Sequence, residues 1–427
     1  MLTVAQHSMK GTFSPVEDFE NVILYKVTPT ASLYVAHTTI NQGELEILLD
    51  STITAGMYRL VYAFPQEEFN FDIIYNAKED IEFTFNSETG IEYQSSNENK
   101  LIASYTSNMS LLSEHIGDFY REQRADSLAL ELLFNAQGET QFSFEEAAKE
   151  TIALHFIKAN RPYVPESYES IEIYIQNLKT HFFDHVDFNN EVLQSSNFLI
   201  ERTLNYVFGM SSESGDDVTQ FKKNIDDLCV AMKNSSPEIK ATLLELLWQQ
   251  MVDTGFEEVA NYISETYLIV LAKSLNDQEL INGLELFKSL SIGNIAPDFQ
   301  IQIEENNTKV TNNLSDLNTA ENYIVVFWSN TCAHCLKEIP LLQRFVNEKE
   351  KGELQVIAIG LEDEPFGWRK KTLKYPEFIH VLGFGKWDNE IGNSYNVTST
   401  PTYFVLDKDK KIMAKPYDFE ALKKILN

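Results

Sequence analysis

Cysteine is scarce in this chain: 427 residues hold three, at positions 229, 332 and 335. A closed zinc centre takes about four ligands and has no second CxxC to draw on here. A c-type haem attachment needs His directly after the second cysteine of such a pair, and Leu336 stands there. Positive charge is short as well. Lys and Arg number 34 against 64 Asp and Glu, a formal charge of −30. Nucleic acid and anionic membrane surfaces are bound through Lys and Arg clusters, so neither is an expected partner. No apolar stretch reaches the ~18–20 residues of a membrane-spanning helix, so no integral span is expected. Fixed-period repeats and low-complexity tracts are absent too. What is present, 43% hydrophobic and 23% charged residues, is an ordinary globular composition, long enough for two or three domains.

Two of the cysteines fall close together, in Cys332-Ala333-His334-Cys335. Before them Tyr323-Ile324-Val325-Val326-Phe327-Trp328 reads as a buried strand, and after them Leu336, Ile339, Leu342, Phe345 and Val346 recur at helical spacing. Such a pair at a strand-to-helix junction is a redox pair more often than a structural one. Cys332 is expected at the helix N-terminus, where unpaired N–H groups and the macrodipole favour a thiolate. That placement lowers a cysteine pKa from ~8.5 into a range of ~3.5–7.5. His334, when protonated, adds a positive charge nearby. Cys335 lies one turn inward and suits the resolving role. The chemistry expected is thiol-disulfide exchange, in which Cys332 attacks a substrate disulfide and Cys335 releases the mixed disulfide. Pro340, inside the helical pattern, predicts a kink.

The flanks add a resemblance. Gly293-Asn294-Ile295-Ala296-Pro297-Asp298-Phe299 opens the region, Phe327-Trp328 precedes the pair, and Pro340 follows Cys335 by five residues. Further on comes Ser399-Thr400-Pro401-Thr402, then the strand Tyr403-Phe404-Val405-Leu406. This order resembles the thioredoxin superfamily, and within it the TlpA/ResA-like thiol-disulfide oxidoreductases of bacterial envelopes. The resemblance implies a thioredoxin fold over 291–427, a central mixed sheet flanked by helices. It implies a cis-proline at Pro401, a Thr400 backbone offered to substrate, and a groove lined by Trp328, Thr400 and Pro401.

Two positions depart from relatives, and others bear on the chemistry of the pair. Val326 occupies the site of a buried Asp in cytosolic thioredoxins, so proton handling has to come from elsewhere. Glu338 matches a glutamate of ResA-like members that could exchange protons with Cys335; the other reading is a solvated helix glutamate. Thr331 replaces a Trp that many relatives carry. The dipeptide Ala333-His334 resembles the oxidising DsbA and PDI sequences, whereas the envelope family is mostly reducing, and a reductase is favoured on family grounds. A thiol peroxidase shares the Ala-Pro-x-Phe opening but spaces its cysteine differently, which makes it the lesser alternative. A binding or scaffold protein that uses the fold for recognition is the rival from another class.

Upstream, residues 1–96 read as a β-sandwich-like domain and 97–290 as an all-helical domain. Candidate strands are Val22-Ile23-Leu24-Tyr25, the run from Gly43 to Leu48, the run from Met57 to Tyr62, and the alternating Ile81-Glu82-Phe83-Thr84-Phe85. The first domain also loosely resembles the β-domain that often precedes TlpA-like domains. Ser236-Pro237-Glu238 marks a helix start. His181, Asp184 and His185 have a metal-binding spacing, but beside Phe182, Phe183, Val186 and Phe188 packed or capped histidines are the better reading, and no metal is assigned. Cys229, on a helical pattern, is expected to be buried and inert. The first two domains would position the redox site or recognise clients. Partners implied are protein or peptide thiol/disulfide clients and a separate redox protein, with no cofactor beyond the Cys332–Cys335 pair. Met1-Leu2-Thr3-Val4-Ala5-Gln6 is not a signal peptide as it stands. The family points to periplasm or cell envelope, with cytoplasm as the alternative.

Overall fold

Alternation of apolar and polar residues over Glu44–Asp50 and Ile81–Asn86 offers one face to a core and one to water. Both segments are strands in the computed structural model, which describes residues 5–66, 68–124, 126–210, 216–305 and 308–427. Residues 1–4, the start of the opening stretch Met1 to Gln6, lie outside the described residues. The N-terminal strands are β1 (Ala5–Ser14), β2 (Asn21–Thr28), β3 (Ala31–Thr39), β4 (Glu44–Asp50), β5 (Gly56–Val61), β6 (Asn70–Tyr75), β7 (Ile81–Asn86) and β8 (Gly90–Tyr93). They form two four-stranded sheets, ordered β4-β1-β7-β8 and β3-β2-β5-β6. Met9, Phe13, Ile47 and Phe83 from the first share one core with Val22, Leu24, Leu60 and Ile73 from the second. Two sheets with a common apolar filling make a sandwich.

Helices follow from Asn97 to Ser289. Ser236 caps the helix Pro237–Asp253 by accepting the Ile239 N–H, with Pro237 in the first turn. Within the helical region Ile116, Phe119, Leu130, Phe134 and Tyr174 form a core of their own. The chain divides into two compact units, 1–263 and 264–427. The helices Ile269–Leu275 and Gln278–Ser289 lie in the second unit, where Leu286 and Leu290 pack on its core.

That second unit is built on five strands. After the hairpin β9 (Gln300–Glu305) and β10 (Thr308–Asn313) come β11 (Asn322–Trp328), β12 (Leu354–Glu362), β13 (Ile379–Phe384), β14 (Thr402–Asp407) and β15 (Ile412–Ala414). The sheet runs β13-β12-β11-β14-β15, with β11, β12 and β13 parallel and β14 and β15 antiparallel. Both faces are covered, so β11 is buried along nearly its whole length, as a continuous apolar run demands. Tyr323, Val325 and Phe327 face one core; Ile324, Val326 and Trp328 face the other. The second face carries Cys335, Ile339, Leu342 and Phe345 from the helix Ala333–Asn347 and Leu422 from the helix Phe419–Leu426. The unit has the thioredoxin fold, preceded in the chain by β-sheets and a helical region.

One close approach on this sheet is testable. A Cβ at Gly360 would stand 2.0 Å from Nε1 of Trp368, which is only 6% exposed. Gly360→Ala is therefore expected to cost about 1–3 kcal/mol by overpacking. Urea unfolding of the full chain reads this as a lower midpoint for the C-terminal unit, and an unchanged midpoint would contradict the packing described.

Candidate active site

The strand β11 ends in buried Trp328, the loop 329–331 follows, and the helix Ala333–Asn347 begins. Cys332 is its N-cap, with extended backbone (φ −81°, ψ 120°) and a sulfur that accepts the Cys335 N–H at 3.2 Å. An N-cap side chain normally offers oxygen to such an orphan donor; here a sulfur takes the bond, so the helix end itself favours the thiolate. The Cys332 Sγ also lies 3.2 Å from the carbonyl oxygen of Thr400, to which the thiol form donates. The Thr400–Pro401 peptide bond is cis. The loop is braced from two sides. Ser329 Oγ accepts the Thr331 N–H at 3.2 Å, and the Glu362 carboxylate at the end of β12 accepts the Asn330 N–H. Glu362 is 4% exposed, a buried acid that sequence reading passed over.

Cys332 and Cys335 are both free thiols, and the two differ sharply. Partial burial works against the Cys332 thiolate, but hydrogen bonds from the Cys335 thiol and amide, from Thr400 and from the His334 backbone outweigh it, holding the pKa below the usual thiol range. Cys335 is fully buried, and burial together with its bond to Cys332 pushes its thiol up to about 12. One sulfur is accessible and acidic, the other inaccessible and protonated.

The neighbours divide between expectation and correction. Ala333 and His334 are exposed on the first turn. The helix continues through Pro340 to Asn347. Glu338 is half-buried, and its Oε2 accepts the Tyr403 hydroxyl at 3.0 Å and the Phe419 N–H at 3.0 Å. It is thus held in place rather than waving in solvent. Trp328 does not line an open groove. It is 1% exposed and packs in the core with Cys335 and, edge-on, with Tyr375, because alternate residues of β11 point beneath the active-site helix. Tyr403, also missed, is reached only through strand register.

Outside this unit, His181 bonds Asp184 at 2.6 Å and stacks on Tyr163 just past the helix Ile171–Thr180. Cys229 is half-buried. Among the described residues, no cluster of three or more His, Cys, Asp or Glu has the arrangement to hold a metal ion. No helix among them is long and apolar enough to cross a membrane.

Glu362 gives a direct check on the loop. Glu362→Ala leaves the half-buried Asn330 N–H without its acceptor, a loss of about 1–3 kcal/mol, whereas Glu362→Gln keeps an acceptor oxygen. Denaturant unfolding is expected to separate the two variants; equal stabilities would show that the carboxylate does not hold the loop.

Residues 292–415 match the model of the AhpC/TSA family. The thiol-disulfide oxidoreductase ResA of Bacillus cereus is 29% identical over 129 residues, which cover 30% of this chain and 70% of that protein. ResA of Bacillus thuringiensis is 29% identical over 131 residues, covering 30% and 69%. Among solved structures, a domain of a possible thiol-disulfide isomerase from Cytophaga hutchinsonii is 28% identical, with a TM-score of 0.27, covering 32% of this chain and 90% of that one. A thioredoxin-like protein from Bacteroides caccae is 19% identical, with a TM-score of 0.33, covering 62% and 96%. The C-terminal unit thus has a thioredoxin fold, is similar to the AhpC/TSA family over residues 292–415, and is similar to the ResA thiol-disulfide oxidoreductases.

Proposed function

We propose that this chain reduces disulfide bonds in protein or peptide clients by exchange through Cys332 and Cys335. The observation that carries this reading is the divergence of two thiols one helical turn apart: Cys332 half-exposed with a lowered pKa, Cys335 fully buried with a raised one. The Cys332 thiolate attacks a client disulfide, and one client sulfur leaves as thiolate and is protonated. Cys335, deprotonated, then attacks the Cys332 sulfur; the cysteines join and the second client sulfur leaves. Two electrons pass from the pair to the client, and a separate redox protein returns them. The reaction needs no metal or organic cofactor.

The Thr400 carbonyl, already within hydrogen-bond reach of the sulfur, and Pro401 form the client-facing side in this reading. Glu338 serves as the proton acceptor on the Cys335 side. Exposed His334 tunes the pair from the rim. The resemblance to the mostly reducing TlpA/ResA-like envelope family favours reduction as the direction and the periplasm or cell envelope as the location.

Insulin reduction by the full chain tests the proposal. Cys332→Ser is expected to lower the rate by about 100-fold or more, because no other group can take the nucleophile's part. Cys335→Ser should still attack and accumulate mixed disulfides. Activity that survives Cys332→Ser, or a wild type inactive in both reduction and oxidation, would overturn it.

A further inference from the structure

We propose that the Tyr403 hydroxyl links Glu338 to Cys335, in place of the buried aspartate that this sheet lacks. The proposal rests on the exchange reading above and assigns the proton step within it. The strands β11 and β14 are antiparallel, and Val326 pairs directly with Tyr403. Residues so paired share a face, with Cβ atoms about 4.5–5.5 Å apart. Both side chains lie in the core that holds Cys335 and Ile339. Val326 has no proton to give or take, but its partner one strand over brings a hydroxyl to the same face.

That hydroxyl is closely placed. Tyr403 is 1% exposed and donates to Glu338 Oε2 at 3.0 Å. The Phe419 N–H, at the start of the C-terminal helix, holds the same oxygen at 3.0 Å. The charged and titratable groups that act on Tyr403 are Glu338 and Cys335 from the active-site helix and Asp418 from the N-cap of the C-terminal helix. Burial first, then these negative charges, raise its pKa, so the phenol stays protonated while it relays. Cys335 is also bonded to Cys332, through its N–H to the Cys332 sulfur at 3.2 Å. Tyr403 thus bonds the Glu338 carboxylate directly and shares one buried core with Cys335.

The step balances without an added reagent. As the Cys335 proton moves to the Tyr403 oxygen, the phenolic proton moves to Glu338, and Tyr403 ends neutral. The Cys335 thiolate forms a bond to the Cys332 sulfur while the Cys332–client bond breaks. The client sulfur leaves as thiolate and takes a proton from water. Glu338, half-exposed, returns its proton to solvent.

The test uses the reduced full chain and dithiobis(nitrobenzoate), whose two thiolates are released in turn, the first by Cys332 attack and the second by Cys335 resolution. In Tyr403→Phe the first phase is expected to keep its rate, while the second slows about 100-fold or more at neutral pH, the lower end of what a lost proton-transfer group does. The pH profile of that second phase should move upward. Glu338→Gln should have the same effect, and the double variant should be no slower than either single one, as for residues acting in one chain. An unchanged second phase and profile in Tyr403→Phe, additive losses in the double variant, or a first phase slowed equally with the second, which marks a purely structural role, would each overturn the proposal. No release by wild type in either phase would instead bring down the exchange reading itself.

Discussion

The bond from the Cys335 N–H to the Cys332 sulfur is the contact on which the site depends. It exists because a helix begins at that point and its first N–H groups need acceptors. With sulfur in the capping position, helix geometry and thiol acidity become one constraint. The same geometry places the second cysteine one turn inward against the sheet, where burial works on it in the opposite direction. A single helix start therefore sets both the difference between the thiols and the order in which they act.

The rest of the C-terminal unit serves that start. Strand β11, buried on both faces, delivers the loop to a fixed place, and β12 brings Glu362 to hold the Asn330 N–H. The loop ahead of the nucleophile is thus tied to the sheet through Glu362 and held internally by the Ser329 hydroxyl. From the other side the turn before β14 supplies the Thr400 carbonyl, and β14 itself supplies Tyr403. A buried carboxylate without a cation is costly unless its hydrogen bonds are met, and both acids near the pair, Glu338 and Glu362, meet theirs with backbone N–H groups.

Much of this was legible in the sequence, and the pattern of what was not is instructive. The strand–cysteines–helix segment is local, so periodicity and the pair's spacing were enough to place Cys332 at the cap and Cys335 inside. The alternating strands β4 and β7 and the Ser236 cap were legible for the same reason. Strand β3 was not, because it is an edge strand whose residues are mostly exposed or half-exposed, leaving no apolar alternation to read. Tyr403 was seen as part of a strand, but its partnership with Val326 is a matter of register between segments far apart in the chain. Glu362 looked like one acid among 64. Trp328 was assigned to the groove from its neighbourhood in sequence, and the alternation of β11 turns it beneath the helix instead.

The central claim is that one helix start splits two otherwise equivalent thiols. It is tested most directly by labelling the cysteine Cβ atoms with carbon-13 and following their shifts against pH in the reduced full chain. Cys332, its thiolate favoured, should titrate at a pH below the ordinary ~8.5 of a free cysteine. Cys335, its thiolate disfavoured, should stay protonated until the pH approaches about 12. Two titrations that coincide near the ordinary value, or Cys335 ionising first, would contradict the account.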